Sequence, residues 1–456
     1  VNPPRYYAAP LRWLTAGDRL LAVSRVRPRW ASLNETAAAI VQYCESGGGR
    51  AVDEIHADFE TRFGSVTRAE LADWLGDLER SGLIAHEPES ATARLAPLGF
   101  ESYQVEHLYL ELLARCNLRC VHCFMGGAPE RTERLSADEV FTLLGEFAAS
   151  GGRYVTLSGG EPLIYPEFAQ VARRVVALGL YGTIITNGWK LREPQLALLD
   201  ELGFNVAISL DGITPEVNER IRGRSSLPTM ATVELALEKL GPDRVILSFT
   251  PVKANLGELD LLFAFVEETG IRRLNLSIYE EVGRAPEHAG TLALDEADRL
   301  ALMRTVYHKA VELAGRVEID LNDTRDILSQ FSVDRTSAEL HPLWRGVRVT
   351  SSGDVYPSTF GAVERFHLGN VRAIPFRTIL ASGTLRELYA ALMDRDEKTP
   401  KCRECTWRQI CRGGSVASAY CHTGELYAPD AYCDAYLDVF PSVAVALAEL
   451  APAAVA

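Results

Sequence analysis

From about residue 107 onward the chain alternates short apolar runs with longer stretches whose apolar residues recur every three or four positions. The runs over 108–113, 154–158, 182–186, 205–209, 245–252 and 274–278 predict strands. The stretches over 136–149, 168–178, 195–202, 231–240 and 256–269 predict helices between them. Six such β-α units imply an α/β fold with a parallel sheet and crossover helices. Right-handed repetition curls such a sheet toward a partial (β/α)6 barrel of the TIM type. Ligands then gather at the C-terminal ends of the strands.

Ahead of this core, residues 1–90 pattern as a unit of their own. Strand-like runs over 20–26 and 29–33 precede Asn34, a good helix N-cap, and Ala37, Ile40, Val41 and Cys44 then form one apolar helical face. Gly47, Gly48 and Gly49 end that helix. Two further amphipathic segments follow over 52–63 and 67–81, the second carrying Leu71, Trp74, Leu75 and Leu78. Short strands with three helices predict a winged-helix-like module. Residues 91–104, with Pro97 and Gly99, read as a linker to a core over 105–300. Helical segments over 295–314 and 324–331 make 301–339 a helical connector. A cysteine-rich extension over 340–436 and a terminal helix over 437–456 complete the chain.

Composition narrows the partners. The 456 residues carry a formal charge of −14, which disfavours nucleic-acid backbones and anionic membranes and suits basic or neutral partners. No apolar h-region follows the N-terminus, and no stretch is long and apolar enough to span a bilayer, so a cytoplasmic location is expected. Nine cysteines in that compartment point to metal or catalysis instead of disulfides.

Three of them, Cys116, Cys120 and Cys123, fall within eight residues of the loop leaving the first core strand. Three thiols can converge on one metal centre, and no fourth ligand stands beside them. Four cysteines usually hold a 4Fe-4S cluster, so three suggest a cluster with one iron open to a ligand. Zinc prefers other spacings.

The CxxxCxxC spacing resembles the signature of the radical S-adenosylmethionine (radical SAM) enzymes, in which the open iron takes the amino and carboxylate groups of SAM. The following strand ends carry further resemblances. Ser158-Gly159-Gly160-Glu161-Pro162 resembles the GGEP motif that binds the methionyl amino group, and Glu161 is an acceptor suited to an ammonium. Thr186-Asn187-Gly188 resembles a turn usual in the family. Ser209 and Arg222 stand where relatives hold the ribose and carboxylate of SAM, and His122 where relatives carry an aromatic residue flanking the adenine. Gly283-Arg284-Ala285 resembles a turn near the adenine end. The resemblance implies reductive cleavage of SAM to a 5′-deoxyadenosyl radical, fed by a reductant such as flavodoxin or ferredoxin.

The segment from Arg348 to Ser358 and the later Leu368-Gly369-Asn370-Val371 resemble the start of a SPASM domain, the auxiliary-cluster extension of peptide-modifying radical SAM enzymes. Full SPASM domains have seven cysteines and two auxiliary clusters. Here Ser358 and Ser415 replace two ligands of the first, and no cysteine lies shortly ahead of Gly353. Cys402, Cys405, Cys411 and Cys433 match the ligand set of the second, which implies one closed auxiliary 4Fe-4S cluster, with a four-cysteine zinc site as the alternative. Thr359 replaces the acidic residue of sulfatase-maturing relatives, which argues against alcohol oxidation by that route. Cys421 stays unassigned: a buried small residue, a substitute ligand, or a thiol that returns hydrogen to a substrate radical. Cys44 belongs to its helix's apolar face.

Over most of residues 1–90 the chain also resembles the PqqD-like leader-recognition domain, through Ala31-Ser32-Leu33-Asn34, Glu54-Ile55 and the Leu75, Leu78, Gly82-Leu83-Ile84 pattern. That implies a precursor leader adding a strand beside residues 29–33 and resting on the helix over 67–81. The combined expectation is a maturase of a ribosomally made peptide, installing a cross-link, an epimerised centre or an oxidative change. A radical SAM enzyme acting on a small molecule or cofactor precursor is the alternative. A DNA-binding or metal-responsive regulator would need a basic recognition helix and no SAM motifs, and neither condition holds.

Overall fold

A computed structural model of the chain describes residues 4–88, 90, 105–321, 326–332, 346–357, 363–393 and 395–450. The expected linker, Ser358 and Thr359 lie outside these residues.

The N-terminal unit contains two small sheets. Strands β1 (Arg5–Ala8), β2 (Leu11–Ala16), β3 (Arg19–Ser24) and β4 (Trp30–Leu33) precede the helix Glu35–Glu45. Asn34 caps that helix, its side-chain oxygen accepting from the Ala37 N–H at 2.8 Å. β5 (Arg50–Ala51), the helices Val52–Phe63 and Arg68–Arg80, and β6 (Ile84–Ala85) follow. Thr67 caps the last helix. β2, β3 and β4 form an antiparallel sheet with β4 at one edge, while β1 pairs with β5 and β6. β1 and β2 are additions to the sequence reading: each is short, and Pro10 between them masks the alternation.

The core is built on β7 (His107–Glu111), β8 (Tyr154–Ser158), β9 (Tyr181–Thr186), β10 (Asn205–Ser209), β11 (Val245–Phe249) and β12 (Arg273–Leu276), all parallel and in sequence order. Crossover helices Ala137–Ala149, Phe168–Ala177, Glu193–Glu201, Leu227–Leu240 and Leu259–Thr269 cover the sheet. Their apolar faces and the strand interiors, such as Leu108, Leu157, Ile184 and Ile208, make one continuous core.

The predicted helical connector needs correction. It holds the helix Glu296–Glu312, but also a seventh parallel strand, β13 (Glu318–Leu321), beside β12. Charged and apolar residues alternate in β13, but over four residues, the shortest run that alternation can mark as a strand. On the other side, β14 (Gly346–Val349) runs parallel to β7, and β15 (Asp354–Pro357) and β16 (Gly369–Asn370) continue antiparallel. The sheet is thus a row of ten described strands, β13 at one end and β16 at the other, into which the SPASM-like extension is welded. The final helix, Cys433–Leu450, starts within that extension and packs on β2, β3 and β4 of the N-terminal unit.

Candidate functional site: two cysteine-lined cavities

The loop after β7 is held by its neighbours' backbones. Cys116 N–H donates to the Ala128 carbonyl at 3.1 Å, and Val121 N–H to the Ile221 carbonyl at 2.9 Å. Arg284 braces it further, donating to the Cys120 and Gly127 carbonyls at 2.6 and 2.7 Å and, from its backbone, to Cys123 at 3.1 Å. Gly283, with φ +62°, lies so close to the Cys123 and Phe124 carbonyls that a Cβ would collide with them. The Gly283-Arg284-Ala285 turn therefore shapes the cysteine loop directly.

Cys116, Cys120, Cys123, His122, Gly159, Gly160, Ser209 and Arg222 all line one cavity of about 520 Å³ at the C-terminal edge of the sheet. Two thiols already accept protein N–H groups: Leu118 N to Cys116 Sγ at 3.4 Å and Gly127 N to Cys123 Sγ at 3.2 Å. Burial pushes the Cys116 thiol up to about 12 and Cys120 to about 11. A metal cluster would bind them as thiolates. A donor set of three soft sulfurs with N–H support fits an iron-sulfur cluster.

Glu161 does not line this cavity. It is fully buried behind the wall, accepting from Thr186 Oγ1 at 2.8 Å and from the Asn187 and Leu163 N–H groups at 2.9 and 3.1 Å. Burial raises its carboxyl, opposed by those donors. What faces the cavity from this motif is the Gly159-Gly160 backbone. Gly159, at φ +125°, and Gly160 pass so near the Leu113 and Arg115 carbonyls that side chains there would collide. The Glu161-anchored turn presents Asn187, whose amide donates to Asn117 Oδ1 at 2.8 Å and approaches Cys116 Sγ at 3.8 Å.

Asp211 is the residue that sequence reasoning passed over. Its buried carboxylate receives Arg222 Nη1 and His122 Nε2, the latter at 3.1 Å, and the Thr250 N–H at 2.7 Å. Burial alone would raise its carboxyl, but the facing His122 and Arg222 hold it well below the usual range. Arg222 and His122 are thus fixed from behind while lining the cavity. His122 Nδ1 is buried without a hydrogen-bond partner among the described residues, leaving an unfilled polar atom beside the thiols. A strand-end Asp two residues after Ser209 was the available signal.

The other group of thiols rings a second, much smaller cavity of about 20 Å³. Cys402, Cys405, Cys411 and Cys433 line it with Trp407, Tyr436 and Phe440. Among the described residues, no set of His, Cys, Asp or Glu side chains is gathered for a single metal ion. Arg395 organises the loops around the four cysteines, donating to the Gly413, Gly414, Leu426 and Ala428 carbonyls. Cys411 and Tyr436 line both cavities, so the two sites share a wall.

Ser415 caps the helix Val416–Thr423, accepting from Ser418 N at 3.2 Å, and donates its own N–H to buried Asp430 at 2.6 Å. Cys421, on the same helix, is exposed and lines neither cavity.

The radical SAM superfamily model matches residues 110–261, the SPASM iron-sulfur cluster-binding domain 342–406, and the coenzyme PQQ synthesis protein D family 21–84. The chain is 28% identical to an AdoMet-dependent heme synthase of Methanosarcina barkeri over 71% of this chain and 94% of that protein. It is 27% identical to the mycofactocin maturase MftC of Mycobacterium ulcerans over 71% and 86%. Among solved structures, anSMEcpe with bound AdoMet and a peptide superposes with a TM-score of 0.61, at 17% identity over 75% of this chain and 99% of that one. Streptococcus suis SuiB bound to precursor peptide SuiA gives 0.58, at 16% identity over 94% and 99%. These two establish a shared fold.

Proposed function

Since this chain belongs to the radical SAM superfamily, an iron-sulfur enzyme with SPASM and PqqD domains on either side of its core, we propose that it matures a ribosomally made precursor peptide. When bound, the 4Fe-4S cluster and SAM supply a 5′-deoxyadenosyl radical able to take hydrogen from an unactivated carbon. The protein's part is placement. Cys116, Cys120 and Cys123 hold the cluster with Asn187 beside Cys116. The Gly159-Gly160 backbone, Ser209, His122 and Arg222 border SAM, the last two fixed by Asp211. Cys402, Cys405, Cys411 and Cys433 would hold one auxiliary 4Fe-4S cluster, which would supply one-electron chemistry beside the larger cavity, whose wall also includes Cys411.

The observation that carries the peptide reading is the PqqD-like unit, whose β4 is an edge strand that pairs only with β3 among the described strands. An edge of this kind takes an extended leader by strand addition. Similarity to heme synthases as well as maturases favours, as a second reading, a small-molecule or cofactor precursor as substrate. Among the described residues no helix is long and apolar enough to cross a membrane.

Anaerobic reconstitution tests the core assignment. Two clusters would bring about eight irons per chain, and a Cys116→Ala/Cys120→Ala/Cys123→Ala variant about four, without SAM cleavage. Wild-type protein unable to cleave SAM under strong reductant would refute the enzyme reading. A synthetic leader from a neighbouring small open reading frame, titrated against the full chain, separates peptide from small-molecule substrate.

A further inference from the structure

The wall of the larger cavity holds a charged pair to which neither the SAM motifs nor the cysteine clusters assign a role. Arg348, on β14, and Glu111, at the end of β7, stand on adjacent parallel strands and both line the cavity with the three thiols. Their side chains are only 7% and 8% exposed. Arg348 Nε and Glu111 Oε1 are 3.6 Å apart, inside the range of an ion pair but beyond a hydrogen bond. Arg348 Nε has no hydrogen-bond partner among the described residues. The guanidinium carbon lies 4.6 Å from the centre of the Phe124 ring and 5.7 Å from that of Tyr356, within cation–π range of both. Phe124 directly follows Cys123, so the guanidinium rests against the cysteine loop.

Leaving a buried donor unsatisfied costs about 1–3 kcal/mol. Arginine with its flat face packed presents a rigid planar fork to one acceptor group. The charge balance then selects the ligand. A ligand carboxylate would set two anions against one guanidinium away from water, and an ammonium would reverse the imbalance. A neutral group with an acceptor and a donor side by side satisfies both partners.

We propose that Arg348 and Glu111 form a clamp for the backbone of one extended residue of the substrate, whose N–H and C=O point to the same side, with Arg348 donating to that residue's carbonyl and Glu111 accepting its N–H. The clamp rests on the peptide-maturase reading and specifies how that substrate is held beside the radical-generating loop. Burial raises the Glu111 carboxyl, opposed by Arg348 and the Ser351 N–H, and an amide N–H would favour its charged form in the same way.

The test uses the reconstituted full chain with SAM and ligand-observed NMR titration of N-acetylalanine N-methylamide, with N-acetylalanine as the charged comparison. The diamide should bind at least about tenfold more tightly than the acid, and Arg348→Met and Glu111→Gln should each weaken it about tenfold or more. Arg348→Lys keeps the charge and most of the bulk but loses the fork, and serves if Arg348→Met fails to fold. Equal or tighter binding of the acid would overturn the amide assignment. Unchanged diamide affinity in variants that melt like wild type would make the pair purely structural. Wild type that cleaves SAM but binds no diamide sinks the clamp alone; wild type that cleaves no SAM sinks the enzyme reading beneath it.

Discussion

At the scale of single residues, the cavity depends on backbone approaches that tolerate no side chain. Gly160 lies against the Arg115 carbonyl and donates its N–H to Leu113 O at 2.6 Å, so the GGEP segment and the cysteine loop are folded onto each other. A methyl group there must displace the loop that carries Cys116. Gly160→Ala should therefore lower reconstituted iron from about eight toward about four per chain and abolish SAM cleavage. Gly290→Ala, at a glycine with nothing within 4 Å of its Cβ position, should do neither. Iron and sulfide analysis with a SAM-cleavage assay checks both. Full iron in Gly160→Ala would show that the loop can move aside. At the same scale, residue type was readable and side-chain direction was not. Glu161 was legible as an important acceptor, but its partners, Thr186 and Asn187, come from another strand end, and only their placement turns the carboxylate into the wall.

At the scale of elements, the core strands and crossover helices followed from periodicity because each buries a recurring apolar face. β8 and β10 match their predicted spans, and Ser136 and Asn34 cap their helices as their chemistry favours. β13 and β14 escaped because short strands draw their identity from neighbours, β13 from β12 and β14 from β7. The cysteine-rich extension was legible by spacing, yet its loops are shaped by buried polar groups far apart in sequence. Arg395 ties residues 413, 414, 426 and 428 together, and Asp430 takes the Ser415 N–H, Ser418 Oγ and Tyr432 N–H. Ser415, where the resemblance to SPASM domains predicts a cysteine, is a helix cap in this chain. Ser415→Ala removes the cap and should cost about 1 kcal/mol, whereas Ser415→Thr should cost less. The loss would appear as a lower thermal midpoint of the reconstituted protein. An unchanged midpoint would mean that the Asp430 contacts alone hold the helix start.

At the scale of the whole molecule, the N-terminal unit is a buttress for the rest of the chain. Leu21 and Val23 of β3 are buried in the same core as the parallel sheet, and the helix Cys433–Leu450 packs on β2, β3 and β4. Trp30, on the edge strand β4, donates its indole N–H to the Phe331 carbonyl at 2.8 Å and meets that ring edge-on at 6.0 Å. Phe331 in turn packs on Trp407 and Phe440, which line the smaller thiol cavity, and it ends the 3-10 turn Ile327–Phe331, whose Ile327 and Gln330 line the larger one. Gln409 adds a hydrogen bond to the Arg25 carbonyl at 3.0 Å. A chain lacking residues 1–90 would therefore uncover the apolar side of the final helix, whose first residue is Cys433. Its loss should reach beyond peptide binding: a lower thermal midpoint, and release of the auxiliary irons ahead of those held by Cys116, Cys120 and Cys123. Trp30→Phe isolates one link of this buttress, keeping the ring while removing the donor to Phe331, at a cost of about 1 kcal/mol. Thermal melts with parallel iron analysis should rank wild type above Trp30→Phe and both above the truncation. A truncated chain that melts like wild type and keeps about eight irons would show that the unit docks without supporting the clusters.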